Sequence, residues 1–120
     1  MLASYNGHTK LVELLIDKGA DVNMVDELTR NALMYASSGP FPNTVKVLLK
    51  AGADPNLTDD EQNWTPAMMA AAEGQLEVLK VLVENGADLE MVDVDGESPL
   101  YFATRSGHTK VIDYIESQLK

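Results

Sequence analysis

The chain has 120 residues, 45% of them hydrophobic, which suits one small domain with a single core. Nineteen acids against nine bases leave a formal charge of −10, arguing against nucleic acid or an anionic membrane surface as partner. No apolar run approaches the ~20 residues of a transmembrane helix, and the absence of cysteine excludes disulfide and thiol chemistry.

From the N-terminus, Leu11-Val12-x-Leu14-Leu15-Ile16 is the first strong apolar burst, spaced for a helix with a wide buried stripe. Gly19-Ala20-Asp21 stops it, glycine supplying the left-handed conformation of a C′ position. A polar connector leads to Asn31, an N-cap residue type, and to a short apolar stretch containing Leu33 and Ala36. Val45-x-Val47-Leu48-Leu49 repeats the longer helix, and Gly52-Ala53-Asp54 repeats the stop. Thr65-Pro66 opens the Ala-rich run Ala67-Met68-Met69-Ala70-Ala71-Ala72, with a cap residue and proline at the first helical position. Val78-Leu79-x-Val81-Leu82-Val83 and Gly86-Ala87-Asp88 follow. Ser98-Pro99 begins the last short helix, and Val111-Ile112-x-Tyr114-Ile115 the last long one.

Three sets of markers share one period. The Gly-Ala-Asp glycines Gly19, Gly52 and Gly86 are 33 and 34 residues apart. Gly7, Pro40, Gly74 and Gly107 are spaced by 33, 34 and 33, and Asn31, Thr65 and Ser98 by 34 and 33. The chain is therefore an internal repeat of turn, short helix, longer helix, turn.

This unit resembles the ankyrin repeat, with its Thr-Pro-Leu-His, Gly-His and Gly-Ala-Asp signatures. Residues 60–92 carry Thr65-Pro66, Ala70-Ala71, Gly74 and Gly86-Ala87-Asp88; residues 93–120 carry Asp93, Gly96, Ser98-Pro99-Leu100, Gly107-His108 and Val111-Ile112. Residues 26–59 match at Asp26, Leu33, Ala36, Leu48-Leu49 and Gly52-Ala53-Asp54; residues 1–25 match at Gly7-His8, Leu11-Val12 and Gly19-Ala20-Asp21-Val22-Asn23. The resemblance implies a mainly α fold: one ankyrin-repeat solenoid over residues 1–120, of about four stacked helix-turn-helix units with projecting β-turn fingers. The units are expected at about 1–25 (truncated), 26–59, 60–92 and 93–120.

Some residues depart from the family pattern. Met1, Met34, Met68 and Tyr101 replace its histidine, which implies apolar packing where the family has a hydrogen-bonded tie. Ser38-Gly39-Pro40-Phe41-Pro42-Asn43 replaces one Gly-His turn, with Phe41 expected to plug a helix turn. The connector through Leu57-Thr58-Asp59-Asp60-Glu61 is one residue longer than its equivalents, and Asp26, Asp60 and Asp93 are assigned to one family position. The first unit opens inside its first helix, consistent with an earlier start or a stripped-down cap. At the other end Glu116 stands where the family has the second leucine of a buried pair, as expected of a polar capping face.

Little here points to catalysis. His8 and His108 both fall on the Gly-His turn, and no phosphate loop, nucleophile–base constellation or zinc spacing occurs. Asp93-Val94-Asp95-Gly96 is similar to the start of a calcium loop, but the remaining ligands do not follow, so it reads as a solvated turn. The expectation is a non-enzyme with no cofactor, no metal and no catalytic residue.

Charge is more informative. The connectors 19–30, 52–64 and 86–97 hold twelve of the nineteen acids and, in Arg30, one of the nine bases. Solubility alone could account for the acids beyond the family positions, but stacked along one edge they would also attract a basic protein. The family's variable contact positions map onto Glu27, Leu28, Arg30, Glu61, Gln62, Trp64, Val94, Asp95 and Glu97 in the fingers. On the concave face of the short helices they map onto Tyr5, Asn6, Ser38, Ala72, Glu73 and Arg105. Trp64, the only tryptophan, reads either as a binding anchor or as a brace against the neighbouring finger. The expected function is a non-catalytic module, monomeric by itself, that binds a protein with a basic surface and neither nucleic acid nor the membrane interior. Its alternatives are a stoichiometric inhibitor covering an enzyme's active site, or a structural segment of a longer chain. Compartment is undetermined: cytoplasmic by default, extracytoplasmic if a leader was removed.

Overall fold

The computed structural model describes residues 2–120; Met1 and the side chains of Ser4 and Tyr5 lie outside the description. Among the described residues eight helices and no strands form. They alternate short and long: α1 (Leu2–Tyr5), α2 (Thr9–Asp17), α3 (Ala32–Ser37), α4 (Pro42–Lys50), α5 (Pro66–Ala72), α6 (Leu76–Glu84), α7 (Pro99–Arg105) and α8 (Thr109–Gln118). Short helices pack on short ones in the order α1, α3, α5, α7, and long on long in the order α2, α4, α6, α8. The result is a two-layered stack, 40 × 26 × 21 Å, the ankyrin-type helical solenoid that the repeats imply.

Local chemistry places the helix ends where the markers put them. Asn31, Thr65 and Ser98 each accept a hydrogen bond from the backbone N–H three residues on, at Met34, Met68 and Tyr101. At the other end the glycine of each Gly-Ala-Asp takes positive φ, as at Gly52 (101°). Gly52 N–H then donates to the Leu49 carbonyl and Ala53 N–H to the Leu48 carbonyl, closing a Schellman motif.

The core runs through the stack. Leu33, Leu48, Leu79, Leu82 and Ile115 are buried, with Ala36, Ala70, Ala71 and Ala103 letting the short helices approach. Met34 and Met68 are fully buried, as expected of methionine in place of the family's histidine. Tyr101 is 43% exposed, because no further short helix covers α7, and it meets Phe102 edge-to-face. Phe41 lies against Gly7 and Gly39, where a Cβ on either glycine would collide with its ring. His108 holds the equivalent place two units further along the stack, lying on Gly74 and donating from Nε2 to the Ala72 carbonyl at 3.0 Å.

Asparagines tie successive connectors together. Asn23 donates to the Gly52 carbonyl (3.1 Å) and accepts from Asp54 N–H (3.1 Å); Asn56 does the same to Gly86 (2.9 Å) and Asp88 (2.8 Å).

Candidate functional site

Each finger is built around one aspartate. Asp26 accepts from the N–H groups of Leu28 and Arg30 at 2.9 and 3.0 Å, and Asp93 from those of Asp95 and Glu97, both at 2.9 Å. In the middle finger the residue in this role is Asp59, not Asp60: Asp59 Oδ1 accepts from Gln62 and Trp64, both at 3.1 Å, and is buried. This corrects the assignment made from spacing. The extra residue lies inside the turn, so that Asp59 to Trp64 spans six residues where Asp26 to Arg30 spans five. Asp60 projects into solvent with Glu27, Glu61 and Asp95. Adjacent fingers touch through single backbone bonds, Asp60 N–H to the Leu28 carbonyl (3.0 Å) and Val94 N–H to the Gln62 carbonyl (2.9 Å).

The residues preceding the N-caps Asn31 and Thr65 each reach forward to the next finger's aspartate. Arg30 Nε pairs with Asp59 Oδ2 at 3.1 Å, and Trp64 Nε1 donates to Asp93 Oδ2 at 3.1 Å. The Trp64 ring also stands edge-on to Phe102, centroids 6.0 Å apart. Trp64 therefore braces two units together, while the rest of its half-buried ring faces the inner side. Within the first finger Tyr35 donates its hydroxyl to Asp26. That bond is the largest influence holding the Asp26 carboxyl below its ordinary 3.8, and it also raises the Tyr35 phenol above its ordinary 10.0.

Between α3 and α5 these residues enclose a groove of about 270 Å³, with Met34 and Met68 in its floor and Tyr35, Met69, Phe102 and Trp64 around it. Of the contact positions expected from sequence, Arg30, Ser38, Trp64, Ala72 and Glu73 line it. Glu27, Leu28, Glu61, Val94 and Asp95 are exposed on the fingers, and Gln62 and Glu97 half-exposed. Asn6 and Arg105 are exposed but do not line the groove, and the Tyr5 side chain lies outside the described residues. Sequence reasoning missed Tyr35, Met69 and Phe102. Their spacing of 34 and 33 residues was the available signal: all three sit one position after the family's histidine.

The Asp93, Asp95 and Glu97 carboxylates come within 4.8 Å of one another. Asp93 has both oxygens engaged, by two backbone N–H groups and by Trp64, which accounts for its burial without a cation. Among the described residues no helix is long and apolar enough to cross a membrane.

A family model of ankyrin repeats, in three copies, matches residues 1–59 and 39–118. Glycerophosphocholine phosphodiesterase gde1 of Schizosaccharomyces pombe is 37% identical over 91% of this chain, and ankyrin repeat protein nuc-2 of Neurospora crassa 35% over 95%. The chain spans only 10% and 11% of those two proteins. Human cyclin-dependent kinase 4 inhibitor B is 34% identical over 96% of this chain and 83% of its own length. Ankyrin repeats are non-catalytic protein-interaction modules, and the similarity to the phosphodiesterase covers too little of it to carry its activity.

Proposed function

The chain belongs to the ankyrin-repeat family, and on that premise we propose that it binds a partner protein with a basic surface, through its finger turns and inner helix face. The supporting observation is the edge of three fingers, where Glu27, Asp60, Glu61 and Asp95 project while Arg30, the one base of the connectors, is paired with buried Asp59. At a helix-packing spacing of ~10 Å against a screening length of ~8 Å, neighbouring fingers add their fields. In this reading residues 1–120 act as one monomeric domain of four units, about 1–25, 26–59, 60–92 and 93–120.

Affinity capture with mass spectrometry names the partner, and its kinetics test the reading. Raising salt from about 50 to about 500 mM is expected to slow association far more than it speeds dissociation. The triple variant Glu27→Gln, Glu61→Gln, Asp95→Asn is expected to reproduce that slowing at low salt. Association indifferent to both would reduce the acids to a solubility device.

A second reading, a stoichiometric inhibitor covering an enzyme's active site, is favoured by the near-full-length similarity to cyclin-dependent kinase 4 inhibitor B. Titrating a captured enzyme to zero activity at one equivalent of this chain supports it; binding without loss of turnover removes it. A third, a structural segment of a longer protein, is supported by relatives of which the chain spans a tenth.

A further inference from the structure

The groove between α3 and α5 has a chemistry distinct from the fingers above it. Its lining is mostly aromatic and thioether, Tyr35, Trp64 and Phe102 beside Met34, Met68 and Met69, with Arg30, Ser38 and Glu73 as its polar members. The polar handles on these walls are turned away, Trp64 Nε1 to Asp93, Tyr35 hydroxyl to Asp26 and Arg30 Nε to Asp59. A bound polar group would therefore lose its hydrogen bonds to water for little in return, whereas an apolar one gains by burial. At about 270 Å³ the space falls just below the ~300–1,000 Å³ of small-molecule and cofactor sites, and it is partly open to solvent. It suits one inserted side chain. Methionine in floor and wall adapts to the shape of what enters.

The charge at its mouth selects what accompanies that side chain. Glu73, at the end of α5, lines the groove and is exposed, and the groove lies below an edge whose projecting side chains are acidic. Arg30, the cation of the lining, is neutralised by Asp59. The local field favours a cation beside the anchor.

We infer that this groove is an anchor pocket for one large apolar side chain of a partner protein (leucine, methionine or phenylalanine), with an adjacent lysine or arginine that meets Glu73. The inference rests on the protein-binding reading above and adds where that binding gains its residence time. The fingers steer arrival; the groove sets departure. Buried anchors ringed by less important contacts dominate many interfaces, and this groove has the composition to hold one.

The test uses the full chain and phage-displayed short random peptides lacking tryptophan. Recovered peptides are expected to share one leucine, methionine or phenylalanine next to lysine or arginine, and as synthetic peptides to change the emission of Trp64. Met69→Lys, which places a charge in the wall, and Ala72→Leu, which fills the space, are each expected to weaken binding at least about tenfold. Their melting temperatures, measured alongside, separate lost binding from lost folding, and Ala72→Leu adds only apolar bulk. Glu73→Lys is expected to convert the selected flanking residue from basic to acidic. Peptides that bind both groove variants as tightly as the parent, or a library that yields no binder, overturn the pocket. Sensitivity to the finger variants alone, with the groove variants silent, would do the same yet leave the basic-partner reading standing; sensitivity to neither would remove both.

Discussion

At the scale of single residues, Asn31 is buried with its hydrogen bonding only half satisfied. Its Oδ1 caps α3 at 2.9 Å from Met34 N, but its Nδ2 is buried without a hydrogen-bond partner. A lone buried donor costs about 1–3 kcal/mol. Thr65 performs the same cap in the next unit with a hydroxyl, which carries one freely rotating donor hydrogen in place of the two fixed ones of the amide. Asn31→Thr is therefore expected to stabilise the domain by about 1 kcal/mol in urea unfolding, whereas Asn31→Ala, which removes the cap, destabilises it by about as much. The Tyr35–Asp26 bond gives a pH-dependent counterpart. Asp26 is held below 3.8, so its contribution is present above that pH and lost as pH falls through its depressed value. Tyr35 is raised above 10.0, so its contribution is present below 10 and lost as pH rises through the elevated value. Tyr35→Phe is expected to lower the melting temperature at neutral pH, with the gap from the parent closing as pH falls below 3.8 through the depressed Asp26 value and again as pH rises above 10 through the elevated Tyr35 value. A gap constant across that range would show the bond to be energetically silent.

At the scale of elements, the two kinds of glycine turn differ in what they leave room for. Gly52 ends α4 at φ 101°, and a Cβ there would meet nothing within 4 Å. Gly52→Ala therefore reports backbone strain alone, about 1–2 kcal/mol. Gly74 also has positive φ (70°), but a Cβ there would stand 2.6 Å from His108 Nδ1, displacing the ring from the Ala72 carbonyl. Gly74→Ala is expected to cost the same strain plus about 1–3 kcal/mol for the crowded contact. Equal effects of the two substitutions in thermal melts would show that the histidine yields freely, and that His108 does not clamp α5 to α8.

Across the whole molecule, one helix position has a different value in each unit. Leu15, Leu48, Leu82 and Ile115 are equivalent by the repeat, yet Leu15 is 43% exposed and the other three are buried. Leu11 beside it is also exposed, whereas its equivalents Thr44, Val78 and Val111 are buried; Leu14 is exposed where Val81 is buried and Val47 and Tyr114 are half-buried. A residue in a linear stack owes its burial to its neighbours in the stack rather than to its own unit. Leu82→Ala is expected to cost about 2–5 kcal/mol, and Leu15→Ala less than half of that in the same assay. The far end is polar instead, with Glu116 exposed where Val83 packs into the core one unit earlier.

The helices, their caps and their stops were legible in the sequence because their causes lie within a few residues. Asn31, Thr65 and Ser98 cap from three positions away, and Gly19, Gly52 and Gly86, which end α2, α4 and α6, bond within the preceding turn. The period then implied the stack, since a helix apolar over so wide a stripe needs neighbours on both sides. Which aspartate shapes the middle finger was not legible. Asp59 and Asp60 are adjacent and chemically identical, and only burial and the Gln62 and Trp64 N–H groups separate them. Nor was the groove, whose walls come from three units and whose polar atoms are turned aside by partners 29 residues ahead: Arg30 to Asp59, Trp64 to Asp93. Local stereochemistry repeats along the chain and can be read from it. The direction in which one side chain turns between two units is decided by both at once, and so belongs to the tertiary structure.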